Sequence, residues 1–131
     1  MSEITVGMKG SAQVEVVHEN TAAAVGSGAL EVYATPSMIA LMEKAAMELV
    51  APCLEEGQGT VGVELNVEHL AATPVGMTVR AEVELTAVEK RMLSFKVEAY
   101  AGDELIGRGT HKRCIVFNDR FMEKTLAKLN K

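Results

Sequence analysis

Residues 31–54 read Glu-Val-Tyr-Ala-Thr-Pro-Ser-Met-Ile-Ala-Leu-Met-Glu-Lys-Ala-Ala-Met-Glu-Leu-Val-Ala-Pro-Cys-Leu, and the rest of the chain is organised around this stretch. Thr35 followed by Pro36 is a helix start: a hydroxyl able to cap free amides, then a ring whose missing N–H costs nothing in the first turn. From Ser37 to about Val50 the spacing predicts a helix. At 100° per residue, Met38, Ile39, Leu41, Met42, Ala45, Ala46 and Leu49 share one broad apolar face. Lys44 and Glu48 point the other way, an i,i+4 pair in the weaker order. Glu43 does neither: it falls at the edge of the apolar stripe, beside Ile39 and Val50. A carboxylate there is costly unless something hydrogen-bonds it or uses it. The helix is therefore expected to serve both as core and as one wall of a site.

Outward from the helix the pattern changes to a period of two. Ser11–His18 alternates, with Ala12, Val14, Val16 and His18 in one phase, and predicts a first strand ending in a surface histidine. Residues 21–30 are small and glycine-rich, with Gly26-Ser27-Gly28 as a turn into the helix. Pro52 and the run Glu55-Glu56-Gly57-Gln58-Gly59 end the helix. Four strands follow, over Thr60–Leu70, Thr78–Glu89, Met92–Tyr100 and Leu105–Phe117. In the first, Val61, Val63, Leu65, Val67 and His69 share a face. In the next two, Val79, Ala81, Val83, Leu85 and Ala87, and then Leu93, Phe95, Val97 and Ala99, are inward. Gly102-Asp103 marks a hairpin, and Gly107 and Gly109 mark either a bulge or a close approach. Arg120–Lys131 reads as a short polar helix. One apolar sheet face and one long apolar helix have a simple solution, a sheet curled around the helix, with its polar face turned to water or to another subunit.

At 131 residues the chain is expected to form one domain, residues 1–131, with a single core. Its 48% hydrophobic and 24% charged content places it among globular proteins. A net charge of −5 argues against nucleic acid or an anionic membrane as partner. The first ten residues lack the apolar core of a secretion signal, and no stretch approaches ~20 apolar residues, so a soluble cytoplasmic protein is expected. Cys53 and Cys114 are too few and too far apart for a metal motif and are expected to be ordinary half-buried thiols.

The chain has no Gly-x-Ser-x-Gly elbow, no phosphate-binding glycine loop, no His-Glu-x-x-His and no clustered Cys/His set, which argues against a serine hydrolase of that type, a nucleotide enzyme and a zinc enzyme. Thr35, Glu43 and His69 remain. Each has a plain structural alternative: Thr35 as N-cap, Glu43 as an edge carboxylate with water at its tip, His69 as a core histidine bonded to a backbone carbonyl. Together they compose something else. A helix carboxylate, an inward histidine and free amides at a helix N-terminus are the parts of an acyl-transfer site.

The order strand, long helix, antiparallel meander resembles the hotdog fold, an α+β architecture. The stretches Ala34-Thr35-Pro36, Leu41-Met42-Glu43-Lys44-Ala45, Gly59-Thr60-Val61-Gly62, Val67-Glu68-His69-Leu70-Ala71-Ala72-Thr73-Pro74 and Gly109-Thr110-His111-Lys112-Arg113 resemble the fluoroacetyl-CoA thioesterase family. The resemblance spans about residues 5 to 120. It implies a catalytic set of Thr35, Glu43 and His69, and acyl-group contacts at Gly62 and Arg113. Arg113 also shares a phase with Ile115 and Phe117, and a guanidinium on an apolar face wants a carboxylate or a ligand. Gly62 has the opposite parity to His69, so a bulge between them is needed for both to line one pocket.

The resemblance implies hydrolysis of an acyl-CoA, with no metal or organic cofactor and coenzyme A as part of the substrate. Glu43 would act as general base or as nucleophile. A hotdog dehydratase or hydratase and a non-catalytic acyl-CoA binder are the alternatives. Where the fluoroacetyl enzyme carries an aromatic lid, this chain has Gly26-Ser27-Gly28-Ala29, so the expected substrate is a short- or medium-chain acyl-CoA, without selectivity for fluoroacetyl-CoA. Thr35 and Glu43 are eight residues apart, roughly 12 Å along a straight helix, too far to bond directly. A homodimer, the usual assembly of hotdog proteins, would bring the helix start of one subunit to Glu43 of its partner.

Overall fold

The computed structural model describes residues 3–130. The elements run in the order β1 (Lys9–Glu15), a 3-10 turn (His18–Asn20), α1 (Ala22–Val25), α2 (Thr35–Val50), a second 3-10 turn (Ala51–Cys53), β2 (Gln58–His69), β3 (Thr78–Glu89), β4 (Met92–Ala101), β5 (Glu104–Phe117), α3 (Asn118–Leu126) and a last 3-10 turn (Ala127–Asn130). The five strands form one antiparallel sheet in the order β1-β3-β4-β5-β2, so the strands flanking α2 in sequence are the two edges.

Alternation places the core between this sheet and α2. Val79, Ala81, Val83 and Leu85 of β3 and Leu93, Phe95, Val97 and Ala99 of β4 are buried. They close on Met38, Leu41, Met42, Ala45, Ala46 and Val50 of α2. Each large apolar side chain so covered stabilises the fold by about 1.5–3 kcal/mol. Lys44 and Glu48 are exposed and Glu43 is half-buried, as the helical phase predicts. Among the described residues no helix is long and apolar enough to cross a membrane.

Several boundaries differ from the sequence reading. β1 ends at Glu15, and His18 lies in the 3-10 turn that follows, exposed, with Nδ1 2.5 Å from Glu31 Oε1. The C-terminal helix starts at Asn118 rather than Arg120 and gives way to a 3-10 turn, while Lys131 lies outside the described residues. Thr35 is not the N-cap of α2. That position belongs to Ala34, in extended backbone at φ −76 and ψ 140 without a side-chain cap, and Thr35 is the first helical residue.

β2 carries the feature that matters most for the site. Its register with β5 runs Gly62↔Arg113 and then Glu64↔Lys112, leaving Val63 as the extra residue of a bulge. Val63 is consequently 50% exposed, against the expectation that it shares the inward face of Leu65, Val67 and His69. Directly paired residues of an antiparallel ladder lie on one face. The bulge therefore turns Gly62, opposite Arg113, to the same side as Leu65, opposite His111. The two glycines of β5 mark close approaches, and Gly107 also adjoins a register shift against β4, where Ala99↔Gly107 is followed by Tyr100↔Leu105. A Cβ on Gly107 would stand 2.5 Å from Met38 Sδ, and one on Gly109 would fall on the Asn66 carbonyl.

Candidate active site

Two clusters form on α2, one at its start and one at its middle. At the start, the Thr35 hydroxyl lies 2.8 Å from His69 Nδ1. Thr35 is the first residue of α2 and His69 the last of β2, so the end of a strand meets the start of a helix. The other ring nitrogen, His69 Nε2, is buried and has no hydrogen-bond partner. Burial lowers the His69 pKa below the ordinary histidine value, the Ala71 backbone opposing the trend, so the ring is neutral near pH 7 and free to accept a proton. The first bond of the helix runs from Met38 N–H to the Ala34 carbonyl at 3.0 Å. The Thr35 and Ser37 amides precede it at the positive end of the helix dipole, and Pro36 contributes none.

An open cleft of about 330 Å³ covers this cluster, lined among others by Ser27, Tyr33, Thr35, His69, Ala71 and Ala72. Tyr33 is not its acid. Its hydroxyl donates to the Ser37 carbonyl at 3.2 Å, and burial pushes the phenol up to about 12. Residues 26–29 are all exposed and supply no aromatic side chain.

The second cluster surrounds Glu43. Arg113, 5% exposed, places Nη1 3.7 Å from Glu43 Oε2, and the Glu43 side chain retains 38% of its exposure. That separation is an ion pair without a hydrogen bond. Burial lowers the Arg113 pKa and Glu43 opposes the shift; a guanidinium remains charged regardless. Gly62 forms the floor: a Cβ there would stand 2.6 Å from Glu43 Oε2.

The structure thus brings Thr35 to His69 and Glu43 to Gly62 and Arg113. It does not join the two groups within one chain, because Thr35 and Glu43 sit on one uninterrupted 16-residue helix, roughly 12 Å apart along its axis. Sequence reasoning missed His111. It is fully buried, stacks on Phe95 with ring centroids 5.9 Å apart, and touches Arg113. Its signal was present: it stands two residues before Arg113, in the same strand phase. Cys53 and Cys114 are half-buried free thiols, and no group of three or more His, Cys, Asp or Glu among the described residues could hold a metal ion.

A sheet curled on one long helix, with an acid, a histidine and a helix start around it, defines the hotdog thioesterase class. The protein is similar to a thioesterase superfamily member from Thermus thermophilus, at 30% identity and a TM-score of 0.89 over 99% of this chain and 96% of that one. Within this class the sequence profile of the fluoroacetyl-CoA-specific thioesterase family, FlK, matches residues 16–119. The fluoroacetyl-CoA thioesterase of Streptantibioticus cattleyicolor is 45% identical over 98 residues, 75% of this chain and 70% of that protein. A crystal structure of a phenylalanine-to-alanine variant of the fluoroacetyl-CoA-specific thioesterase FlK superposes with a TM-score of 0.92, at 36% identity, over 98% of this chain and 99% of that one. The chain belongs to the fluoroacetyl-CoA-specific thioesterase family.

Proposed function

We propose that the protein is a cytoplasmic acyl-CoA thioesterase that hydrolyses short- to medium-chain acyl-CoA to free acid and CoA, and that it works as a homodimer. The observation that carries the reading is the Thr35–His69 hydrogen bond, which leaves a buried, unpartnered histidine nitrogen at a helix start. In this reading the thioester carbonyl lies at the start of α2, where the Ser37 amide meets the developing oxyanion. Thr35 orients His69. Glu43 either takes a proton from the attacking water or attacks the carbonyl itself, giving an anhydride that water then opens. In both routes the C–S bond breaks, His69 relays the proton to the departing thiolate, and water supplies the acid's new oxygen. Gly62 and Arg113 contact the acyl group. Side chains and water suffice for every step.

The dimer is supported by two features. Among the described residues β2 pairs with β5 along one side only, and its opposite edge is left unpaired. The separation of Thr35 from Glu43 along α2 is removed when a second subunit supplies the missing half. The substrate range is supported by the exposed Gly26-Ser27-Gly28-Ala29 segment, which has no ring to close over a small acyl group.

A thiol-release assay over acetyl-, fluoroacetyl-, butyryl-, hexanoyl- and crotonyl-CoA tests the reading. Wild-type protein is expected to release CoA, with acetyl- and fluoroacetyl-CoA differing by less than about tenfold, the reach of small pocket differences. Glu43→Gln and His69→Ala are each expected to lower kcat by about 10² or more. Hydration of crotonyl-CoA without thiol release would replace hydrolysis by a hydratase reaction, and a preference for fluoroacetyl-CoA of several orders of magnitude would refute the open-mouth argument.

A further inference from the structure

Arg113 carries five N–H donors, and the structure commits three of them away from Glu43. Nε donates to Thr60 Oγ1 at 2.8 Å, Nη2 to the Thr60 carbonyl at 3.0 Å, and Nη1 to His111 Nε2 at 3.2 Å. The last bond fixes the state of the histidine. His111 Nδ1 lies 2.8 Å from the Glu64 carbonyl, which can only accept, so Nδ1 carries the proton and Nε2 presents its lone pair to the guanidinium. Left to itself, a buried guanidinium beside a carboxylate closes into a bidentate pair at about 2.7–2.9 Å. Here the distance stays at 3.7 Å.

We infer that His111 and Thr60 are positioning residues that hold the Arg113 guanidinium off the Glu43 carboxylate, keeping that carboxylate free to act in the site. The inference rests on the thioesterase reading for its consequence, though not for its geometry. The bulge at Val63 helps to build the clamp. It sets Gly62 opposite Arg113 and sets Glu64, whose carbonyl binds His111, in the next register position. Phe95 of β4 covers the His111 ring. The charged groups facing that ring are Arg113 on its own strand and Glu43 on α2. Burial and Arg113 both disfavour a second proton, and the Glu64 carbonyl and Glu43 act in the opposite direction, with a net downward shift of the His111 pKa. A doubly protonated ring would set N–H against N–H and open the clamp.

Two measurements on the intact protein test the inference. Nitrogen-15 NMR of the histidine side chains is expected to show His111 as the neutral Nδ1–H tautomer, with a protected Arg113 Nε–H that disappears in Thr60→Val. Steady-state kinetics with acetyl-CoA is expected to show a kcat lowered about tenfold to hundredfold in His111→Ala and Thr60→Val, with KM changed less than about threefold. In both variants the acid limb of the kcat–pH profile is expected to move to lower pH, because a carboxylate locked to a guanidinium is harder to protonate. His111→Gln, whose amide oxygen can replace the Nε2 acceptor, is expected to recover part of the rate. Thr60→Val stays close to isosteric, so the test survives if His111→Ala does not fold. An Nε2–H tautomer for His111, or folded variants that lose kcat with an unmoved acid limb, would overturn the clamp. Wild-type protein inactive on every acyl-CoA would sink the hydrolase reading instead, and the tautomer and the Arg113 proton would still decide the geometry.

Discussion

Space for one methyl group at residue 62 decides where the Glu43 carboxylate can sit. A Cβ there would stand 2.6 Å from Glu43 Oε2, 3.3 Å from His111 Cε1 and 3.5 Å from Arg113 Nη1. The nearest atom is the tip of a half-exposed, flexible side chain, so Gly62→Ala is relieved by moving the carboxylate rather than the backbone. The expected outcome is a stability within about 1 kcal/mol of wild type and a kcat lowered about 10²-fold, the loss that follows misplacement of a reacting group by about 1 Å. Denaturant unfolding and thiol release on the same sample check both halves; wild-type turnover would remove Gly62 from the site. At this scale the sequence told much. The strand phase turned His69 and Arg113 inward, and the parity conflict of Gly62 called for the bulge found at Val63. Thr35 was harder, because a threonine before proline suits a cap equally well, and its bond to His69 spans 34 residues of sequence. His111 was in phase, yet its role depends on a carbonyl 47 residues away, which no local pattern records.

Among the elements, β5 is tightly constrained, because Met38 and Glu43 of α2 reach Gly107 and Arg113 on one face and its ladders with both β2 and β4 carry register shifts. The alternation of β4, and of β3 through Leu85, was legible, since both strands are central and bury one face. Beyond Leu85 a register shift pairs Ala87 with Ser94, not with an inward residue, so Ala87 leaves the inward face expected for it. The glycines of β5 read ambiguously, because glycine weakens a strand whether it bends the chain or admits a neighbour. Their neighbours now separate them. At Gly107 an added Cβ meets the Sδ and Cε of Met38, the end of a flexible but fully buried side chain. At Gly109 it meets the Asn66 carbonyl and, at 2.7 Å, Val67 Cα, both backbone of the paired strand. Gly107→Ala is expected to cost about 1–3 kcal/mol, the range for overpacking. Gly109→Ala is expected to cost more, about 3 kcal/mol or above, because the β2–β5 ladder itself must part. Guanidinium unfolding of the two variants measures the order; a Gly109 variant no less stable than the Gly107 variant would show that close strand approach is not what the glycine serves.

For the whole molecule, two histidines, His111 buried and His69 half-buried, couple folding to pH. Burial lowers the pKa of both His69 and His111 in the folded chain, so on unfolding each returns toward about 6.5 and binds a proton. Their contribution is complete above about pH 6.5 and is lost as pH falls through the folded values, the unfolded state binding more protons in that window. Denaturant midpoints falling between pH 7.5 and 5, by less in His111→Gln, are the expected result; an unchanged midpoint would contradict the lowered pKa values of the two rings. The same two histidines belong to different halves of the proposed site, His69 with Thr35 and His111 with the Glu43 cluster, and one straight helix keeps the halves apart within a chain. A two-fold pair would therefore hold two sites, each with Thr35 from one subunit and Glu43 from the other. Thr35→Val and Glu43→Gln subunits, each inactive alone, are unfolded together and refolded. Random reassociation gives mixed dimers in about half of the population, each with one intact site, so activity near about a quarter of wild type is expected. If sizing and mass measurement confirm mixed dimers and they release no thiol, both residues act within one chain, and the proposed division of the site between subunits fails.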